Sequence, residues 1–352
     1  MQLLEQYGWN SFFQSYKDSR PDHNTLIGRV ISIKGFKYEL VTSEGFHECE
    51  LAGKLLFGAS PEELPKVGDW VWYLPYDVQG YIVDVLPRRT ELSRKAPGAK
   101  SERQVLAVNL DAALVVQGLD RDFNLMRLDR YLVQLAACSI PTIVVLNKAD
   151  LVDDTSPYLN DIQKLHRNVA VHFCSTFDQR GVSELFDLLG QAKTYALIGS
   201  SGVGKSSLLN AWNSTVVQAT GSLGVGTQKG KHTTTTRDLF MLSNGSLVID
   251  TPGMREFGVT MEAGTDENVF PVIAELSQKC RYSDCLHQGE EGCAVLQALD
   301  DGSLESVVYD SYIKLLKEQR RFHVNAINKK RMEKQFGKMT REASNHRKKY
   351  KY

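Results

Sequence analysis

The sequence predicts a multidomain α/β protein in three parts: a small β-barrel, a parallel sheet with a phosphate-binding turn, and a mainly helical segment centred on cysteine and histidine. Three observations carry that reading. Short β-rich runs separated by turn signals fill residues 26–90. From about residue 105, β-branched runs alternate with amphipathic stretches of helix length. Past the last strand-like run, three cysteines and one histidine crowd into residues 280–293.

Residues 1–25 are polar and mixed, and read as a partly helical N-terminal arm. LIGRVISI, KYELVT, FHECEL, DWVWYLP and YIVDVL follow, with KG, SEG, ASPEELPKVGD and DVQG between them. Five short strands in one stretch predict a small closed barrel, because closure hides the sheet edges. Trp70, Trp72, Tyr73 and Tyr81 lie there. They either fill the barrel or stack on the bases of RNA. Residues 91–104, within a polar, basic run with two prolines, are expected to be a linker.

DAALVV, TIVVLN, AVHFCS, TYALIG and SLVIDTPG then alternate with stretches such as RLDRYLVQLAA. Buried-type strands separated by helix lengths predict βαβ units on a parallel sheet over 105–265. Asn147-Lys148-Ala149-Asp150 closes one of these strands. The Asp150 carboxylate can accept hydrogen bonds from N1–H and the 2-amino group of guanine. Adenine would present a lone pair to it, and a buried polar group left unpaired discriminates strongly. Asn147 would tie this loop to the phosphate turn, and the Lys148 stem would cover the base. After the next strand comes Cys174-Ser175-Thr176, where a backbone N–H could reach guanine O6; a helix cap would look the same.

Gly199-Ser200-Ser201-Gly202-Val203-Gly204-Lys205-Ser206 matches the phosphate-loop pattern without mismatch, with an apolar strand before it and a helix pattern from Ser207 after it. Its glycines let backbone N–H groups point at a phosphate at a helix N-terminus. Lys205 would bridge the β- and γ-phosphates, and Ser206 would hold Mg²⁺. Further on, Asp250-Thr-Pro-Gly253 ends a strand: the carboxylate suits the Mg²⁺ shell and the Gly253 N–H the γ-phosphate. The intervening stretch 220–239 is rich in Gly and Thr, as an order–disorder switch requires. Thr233 to Thr236 are candidates to complete Mg²⁺ coordination, with Thr234 favoured. Met254 stands where many such switches place a water-orienting glutamine. His232 is the candidate for that task; contact with a partner is its alternative.

Cys280-x4-Cys285-x-His287-x5-Cys293 supplies three thiolates and an imidazole, a set that suits one closed, structural tetrahedral Zn²⁺ site. Cys49, Cys138 and Cys174 sit in strand or helix patterns and read as core residues. From Lys314 to Tyr352 there are 14 Lys and Arg against 3 acidic residues, so a basic tail is set on an acidic body in a chain of zero formal charge. That asymmetry points to a polyanion partner. No apolar run is long enough to span a membrane. The N-terminal stretch lacks a signal-peptide pattern, and six cysteines are too few for a disulfide scaffold, so a cytoplasmic location is expected.

The guanine reader precedes the phosphate loop, the reverse of the order usual in guanine-nucleotide switches. Joining the usual ends and opening a new break after DTPG gives this order. In that respect the sequence resembles the circularly permuted GTPases. With NKADL, GSSGVGKSSLLN, GKHTTTT, DTPGMREFG and CRYSDCLHQGEEGC over roughly 26–320, it is similar to the ribosome small subunit-dependent GTPase A family. The resemblance implies an OB-fold barrel, a circularly permuted P-loop GTPase domain over 105–265, a zinc-binding helical domain over 266–336 and a basic tail over 337–352. It implies a monomer that hydrolyses GTP in late maturation of the small ribosomal subunit, binds rRNA and is stimulated by that subunit. Zn²⁺ would be its structural metal, and Mg²⁺ would accompany GTP. Two rivals remain on the residues alone: a P-loop NTPase of other specificity, and a non-catalytic RNA-binding module that holds nucleotide.

Overall fold

The structure is a computed structural model that describes residues 2–20, 24–76, 79–95, 103–165, 169–213, 238–250, 270–314 and 316–317. The chain divides into two compact units, residues 1–95 with 103–258, and residues 96–102 with 259–352.

The N-terminal arm forms two helices, α1 (Gln2–Gln6) and α2 (Ser11–Ser19). Asn10 starts α2 by accepting from the Phe12 N–H at 3.0 Å, satisfying one of the donors a helix start leaves open. Leu4, Trp9 and Phe13 are buried. The edge of Trp9 meets Trp70 of the barrel at 4.8 Å between centroids, and Phe13 stacks on Trp9 at 5.8 Å. The arm is therefore docked by aromatic burial, the largest apolar area a side chain can supply.

The barrel comprises β1 (Leu26–Lys34), β2 (Lys37–Thr42), β3 (Gly45–Leu51), β4 (Trp70–Tyr76) and β5 (Gln79–Val85), with α3 (Gly53–Gly58) between β3 and β4. Its order is β1-β2-β3-β5-β4, closed by β1 against β4. Only β3 and β5 run parallel. This is the five-stranded OB-type arrangement. Trp70, Trp72 and Tyr73 are buried, Trp70 against Trp9 and Phe13 of the arm and Trp72 beneath the Arg20 guanidinium, whereas Tyr81 is exposed beside Tyr76 at 6.2 Å. The stretch 91–104 differs from a plain linker. Its ends belong to β6 (Glu91–Lys95) and β7 (Arg103–Val108), an antiparallel pair. Leu92, Val105 and Leu106 are buried there, so apolar burial outweighs the polar, proline-bearing composition that marks the sequence as a linker.

The second sheet contains β8 (Ala112–Gly118), β9 (Thr142–Asn147), β10 (Ala170–Phe173), β11 (Thr194–Ile198), β12 (Leu239–Met241) and β13 (Leu247–Asp250). Its order is β10-β9-β8-β11-β13-β12, parallel except for β12. Helices α4 (Leu125–Ala137), α5 (Ser156–Leu165) and α6 (Val182–Asp187) make the crossovers, and α7 (Lys205–Trp212) follows β11. Both faces are covered, so Leu114, Val115, Val116, Leu197 and Val248 are all fully buried, and the strands read as continuous apolar runs. The chain lays β8, β9 and β10 outward in one direction and then returns to place β11 on the other side of β8. Strand order thus reverses between β8 and β11, and the crevice beyond their C-terminal ends is where open α/β sheets bind ligands.

Barrel and sheet belong to one unit and are joined by buried polar contacts. Asn109, at φ 56, donates to Gly68 O at 3.0 Å and accepts from Arg89 N at 2.8 Å. The buried Arg29 guanidinium donates to Gly68 O and Tyr7 O and lies 5.4 Å over the Trp70 ring; burial pulls its pKa down to about 10. In the other unit, helices Pro271–Ser277 and Ala294–Asp300 and a helical stretch over 306–314 enclose Ile273, Val295, Ala298 and Tyr312. Among the described residues, no helix is long and apolar enough to cross a membrane.

Candidate functional site

The loop after β11 wraps as the motif requires. Val203 is buried and anchors it to the sheet, while Ser201 and Gly202 form its exposed or half-exposed tip. Gly204 ends the loop at φ 100 and starts α7, so Lys205, Ser206 and Ser207 occupy the helix's first turn. The first N–H groups of that turn have no acceptor within the helix and suit an anion. The Lys205 ammonium donates to Gly199 O and Ser200 O, both at 2.8 Å, which holds it at the mouth of the cradle. Ser200 is itself buried and hydrogen-bonded by the buried Tyr131 of α4.

The loops that follow β9 and β10 lie alongside. Asn147, fully buried at the end of β9, donates to Val203 O of the phosphate loop at 2.8 Å. Its Oδ1 accepts from Thr176 N at 3.2 Å and faces the Cys174 thiol at 3.7 Å. One amide therefore ties three loops together. Its neighbour Gly204 must be glycine, because a Cβ there would fall 2.1 Å from Asn147 Nδ2. Burial pushes the Cys174 thiol up to about 12, so it stays protonated beside the pocket. Lys148 adopts φ 64, and its Nζ reaches Asp120 Oδ2 at 2.6 Å.

Asp150 accepts from Ser175 Oγ at 2.5 Å. Ser175 Oγ in turn accepts from Phe177 N at 3.2 Å and Asp178 N at 3.3 Å. The serine's part is thus to orient the Asp150 carboxylate. Its own N–H donates to Arg180 O at 2.8 Å, so that amide is engaged within the turn and is not turned toward a guanine O6. Nor does Ser175 cap α6, which starts from Gly181. The reason is local: the turn 175–180 closes on itself before the helix begins. Asp120 and Tyr131 escape a reading by motif, although a carboxylate directly past a parallel strand at the reversal point is a usable signal.

The structure brings together Asn147, Lys148, Asp150, Ser175 and the run Gly199 to Ser207. Asp250 ends β13, which pairs with β11 in the register Leu197 to Asp250, so its backbone terminates beside the phosphate-loop strand. His232, Thr233 to Thr236, Gly253 and the 337–352 tail lie outside the described residues.

In the second unit, the ligand atoms of Cys280, Cys285, His287 and Cys293 all lie within 4.8 Å of one another. His287 Nδ1 is 3.3 Å from Cys293 Sγ and 3.6 Å from Cys280 Sγ, and the two sulfurs are 4.0 Å apart. A tetrahedral zinc with Zn–S of about 2.3 Å and Zn–N of about 2.0 Å places its ligands roughly 3.5 to 3.8 Å apart. The residues present therefore fit a closed zinc site. Ser277 Oγ donates to Ile273 O at 2.7 Å and so must accept from His287 Nε2, 3.0 Å away. That places the imidazole proton on Nε2 and turns the Nδ1 lone pair toward the thiols, the tautomer a metal needs. Tyr309 O–H donates to His287 O at 2.7 Å and fixes the backbone behind it.

A P-loop sheet whose Asn147-Lys148-Ala149-Asp150 loop comes before the phosphate loop defines a circularly permuted GTPase. Residues 85–260 match the RsgA GTPase family, and 194–329 match a family described as 50S ribosome-binding GTPase. The chain is 37% identical over 340 residues to the small ribosomal subunit biogenesis GTPase RsgA 1 of Bacteroides thetaiotaomicron, covering 96% of each. This protein belongs to the RsgA GTPase family. It is also 38% identical to RsgA 2 of Vibrio vulnificus, over 99% of this chain and 97% of that one. The crystal structure of YjeQ from Thermotoga maritima superimposes with a TM-score of 0.61 at 27% identity, covering 84% of this chain and 98% of that one. YloQ, described as a circularly permuted GTPase, gives 0.62 at 28% identity, over 86% and 98%.

Proposed function

We propose that this GTPase acts in maturation of the small ribosomal subunit, binding the subunit through its rRNA and hydrolysing GTP on it. The observation that carries the guanine-nucleotide site is Asn147, which joins the base-reading loop to the phosphate loop at 2.8 Å. The relatives named as small ribosomal subunit biogenesis GTPases support the biological role. In this reading, Asp150 takes the guanine edge, the Lys148 stem lies on the base, and the Gly199 to Ser207 loop holds the phosphates. Lys205 draws charge from the β- and γ-phosphates as the bond to the leaving oxygen lengthens. Ser206 and Thr234 would ligate Mg²⁺, with Asp250 in its shell, and the ion would supply charge neutralisation for the phosphates. Gly253 senses the γ-phosphate, and His232 places the attacking water in the absence of a glutamine at Met254. Cys280, Cys285, His287 and Cys293 hold one structural Zn²⁺. The exposed barrel aromatics Tyr76 and Tyr81 and the basic 337–352 tail offer stacking and charge to rRNA. The protein works as a cytoplasmic monomer, with an arm over 1–25, a barrel over 26–90, a GTPase domain over 105–265 and a zinc domain over 266–336.

The test is GTP turnover alone and with purified small subunits, large subunits or whole ribosomes. Small subunits should stimulate most. Equal stimulation by all three, or by none, overturns the role, and tight nucleotide binding without turnover would favour the non-catalytic rival.

A further inference from the structure

The loop leaving β8 carries a carboxylate that no nucleotide motif contains. Asp120 Oδ2 meets the Lys148 ammonium at 2.6 Å, while its Oδ1 accepts the Asp122 N–H at 3.0 Å. Both oxygens are thus committed, and the carboxylate has one orientation. The turn that holds it is further closed by Phe123 N to Asp120 O at 3.0 Å and by an Arg127 to Asp122 ion pair at 3.0 Å. Strand pairing sets the distance. Gly118 is in register with Asn147, and Leu119 N donates to Asn147 O at 2.8 Å, so the exits of β8 and β9 are locked side by side.

The lysine stem is also accommodated. A Cβ on Gly118 would lie 3.1 Å from Asp120 Oδ1 and 3.2 Å from Lys148 Cδ, so both side chains settle closely over the strand end. Burial raises the Asp120 carboxyl, but the Lys148 hydrogen bond, the Asp122 amide and the Lys148 charge outweigh it and hold it below its ordinary value. It is therefore ionised at any working pH.

We propose that Asp120 is a positioning residue for guanine recognition: it pins the Lys148 ammonium at one end so that the methylene stem lies across the base held by Asp150. The proposal rests on the assignment of Asp150 and Lys148 as the base reader. A free lysine stem has several rotatable bonds, and ordering it on binding costs affinity. An anchor already in place removes that cost. The pair is partly exposed, with side-chain accessibilities of 30% and 27%, so its direct Coulomb contribution is screened and its effect is orientation.

The experiment is a double-mutant cycle on the full chain: wild type, Asp120→Asn, Lys148→Ala and the double variant, titrated with fluorescent GDP, XDP and ADP. Asn at 120 keeps the acceptor for the Asp122 amide, so the turn persists, and melting of the nucleotide-free proteins checks this. Each single variant should weaken GDP binding by about 3- to 10-fold. The double variant should be no weaker than Lys148→Ala, and the GDP-to-XDP ratio should stay that of wild type, because Asp150 is untouched. Losses that multiply in the double variant, or an Asp120→Asn protein that binds GDP as wild type does, overturn the proposal. Wild type that fails to prefer GDP over ADP would instead sink the reader assignment, and this proposal with it.

Discussion

Replacing Gly204 by Ala tests the joint between reader and cradle most directly. An added Cβ would sit 2.1 Å from Asn147 Nδ2, well inside contact distance, and the residue would have to hold φ 100. The backbone strain alone costs about 1 to 3 kcal/mol. Relieving the clash requires Asn147 to withdraw by about 1 Å, since non-bonded heavy atoms need at least ~3 Å. Withdrawal breaks the 2.8 Å bond to Val203 O and strands two buried polar groups. That adds about 1 to 3 kcal/mol. The smallest credible total is therefore about 2 kcal/mol, a loss of roughly 30-fold if it all appears in binding.

It should appear there, because the movement that relieves the clash widens the gap a nucleotide must bridge. Fluorescent GDP titration of the full chain measures the affinity, and melting of the nucleotide-free protein measures the cost without ligand. Asn147→Ala is the informative companion, as it loses the same bond without the clash. Adding Gly204→Ala to it should cost only the strain. GDP affinity of Gly204→Ala within about 3-fold of wild type, under 1 kcal/mol, would show that the Asn147 to Val203 contact does not align the two loops.

Other outcomes follow from the same geometry. Asp150→Asn should weaken GDP by at least about 100-fold and favour xanthine nucleotides, which offer an acceptor where guanine offers an amine; unaltered GDP binding would remove Asp150 from the base edge. Ser277→Ala frees the His287 ring and should lower zinc affinity by about 10- to 100-fold in competition with a chromophoric chelator, with one zinc per chain still reached at saturation; no loss would make the serine incidental. Burial raises the Asp111 carboxyl from 3.8, but the Thr194 amide, Arg89 and Lys193 outweigh it and leave it lowered. A depressed folded pKa gives stability that is complete above the unfolded value and is lost as pH falls through the folded one. Asp111→Asn should therefore lower the urea midpoint near neutral pH, by an amount that shrinks as pH falls past the unfolded carboxyl value and through the lowered folded one, whereas a shift that does not change with pH would contradict the linkage.

Where sequence sufficed, the physics was local. The parallel strands are legible because covering both faces of the sheet makes each a continuous apolar run. The phosphate loop is legible because Gly204, Lys205 and Ser206 act within a few residues of one another, and the metal centre because its ligands are close in sequence. What escaped depends on partners far along the chain. The arm is polar in composition, yet Trp9 and Phe13 dock it on Trp70. The β6–β7 pair hides behind a short small and polar stretch, with Pro97, Gly98 and Lys100, that lies between its strands. Ser175 could be placed at the pocket, but which of its groups faces the nucleotide depends on Arg180 O engaging its amide. Asp120 pairs with Lys148 only because β8 and β9 are neighbours, which spacing does not reveal.

The motif order can be rotated because the pocket is assembled across the sheet rather than along the chain. Reader and cradle emerge from β9 and β11, with β8 between them. Two strand spacings of about 4.8 Å each separate those exits whichever strand the chain visits first. The registers of Gly118 with Asn147 and of Ile198 with Val115 hold the exits level, so Asn147 can span to Val203. Rotation alters only what each end of the sheet is attached to. The barrel's last strands lead through β7 and Asn109 into β8, the strand that also positions Asp120 and hence Lys148. β13 becomes the last strand of the sheet along the chain, and the residues of the second unit resume at Val259, nine residues past Asp250. Along the chain, therefore, the residues proposed to read the base come before the phosphate loop, and those proposed to sense the γ-phosphate come after it.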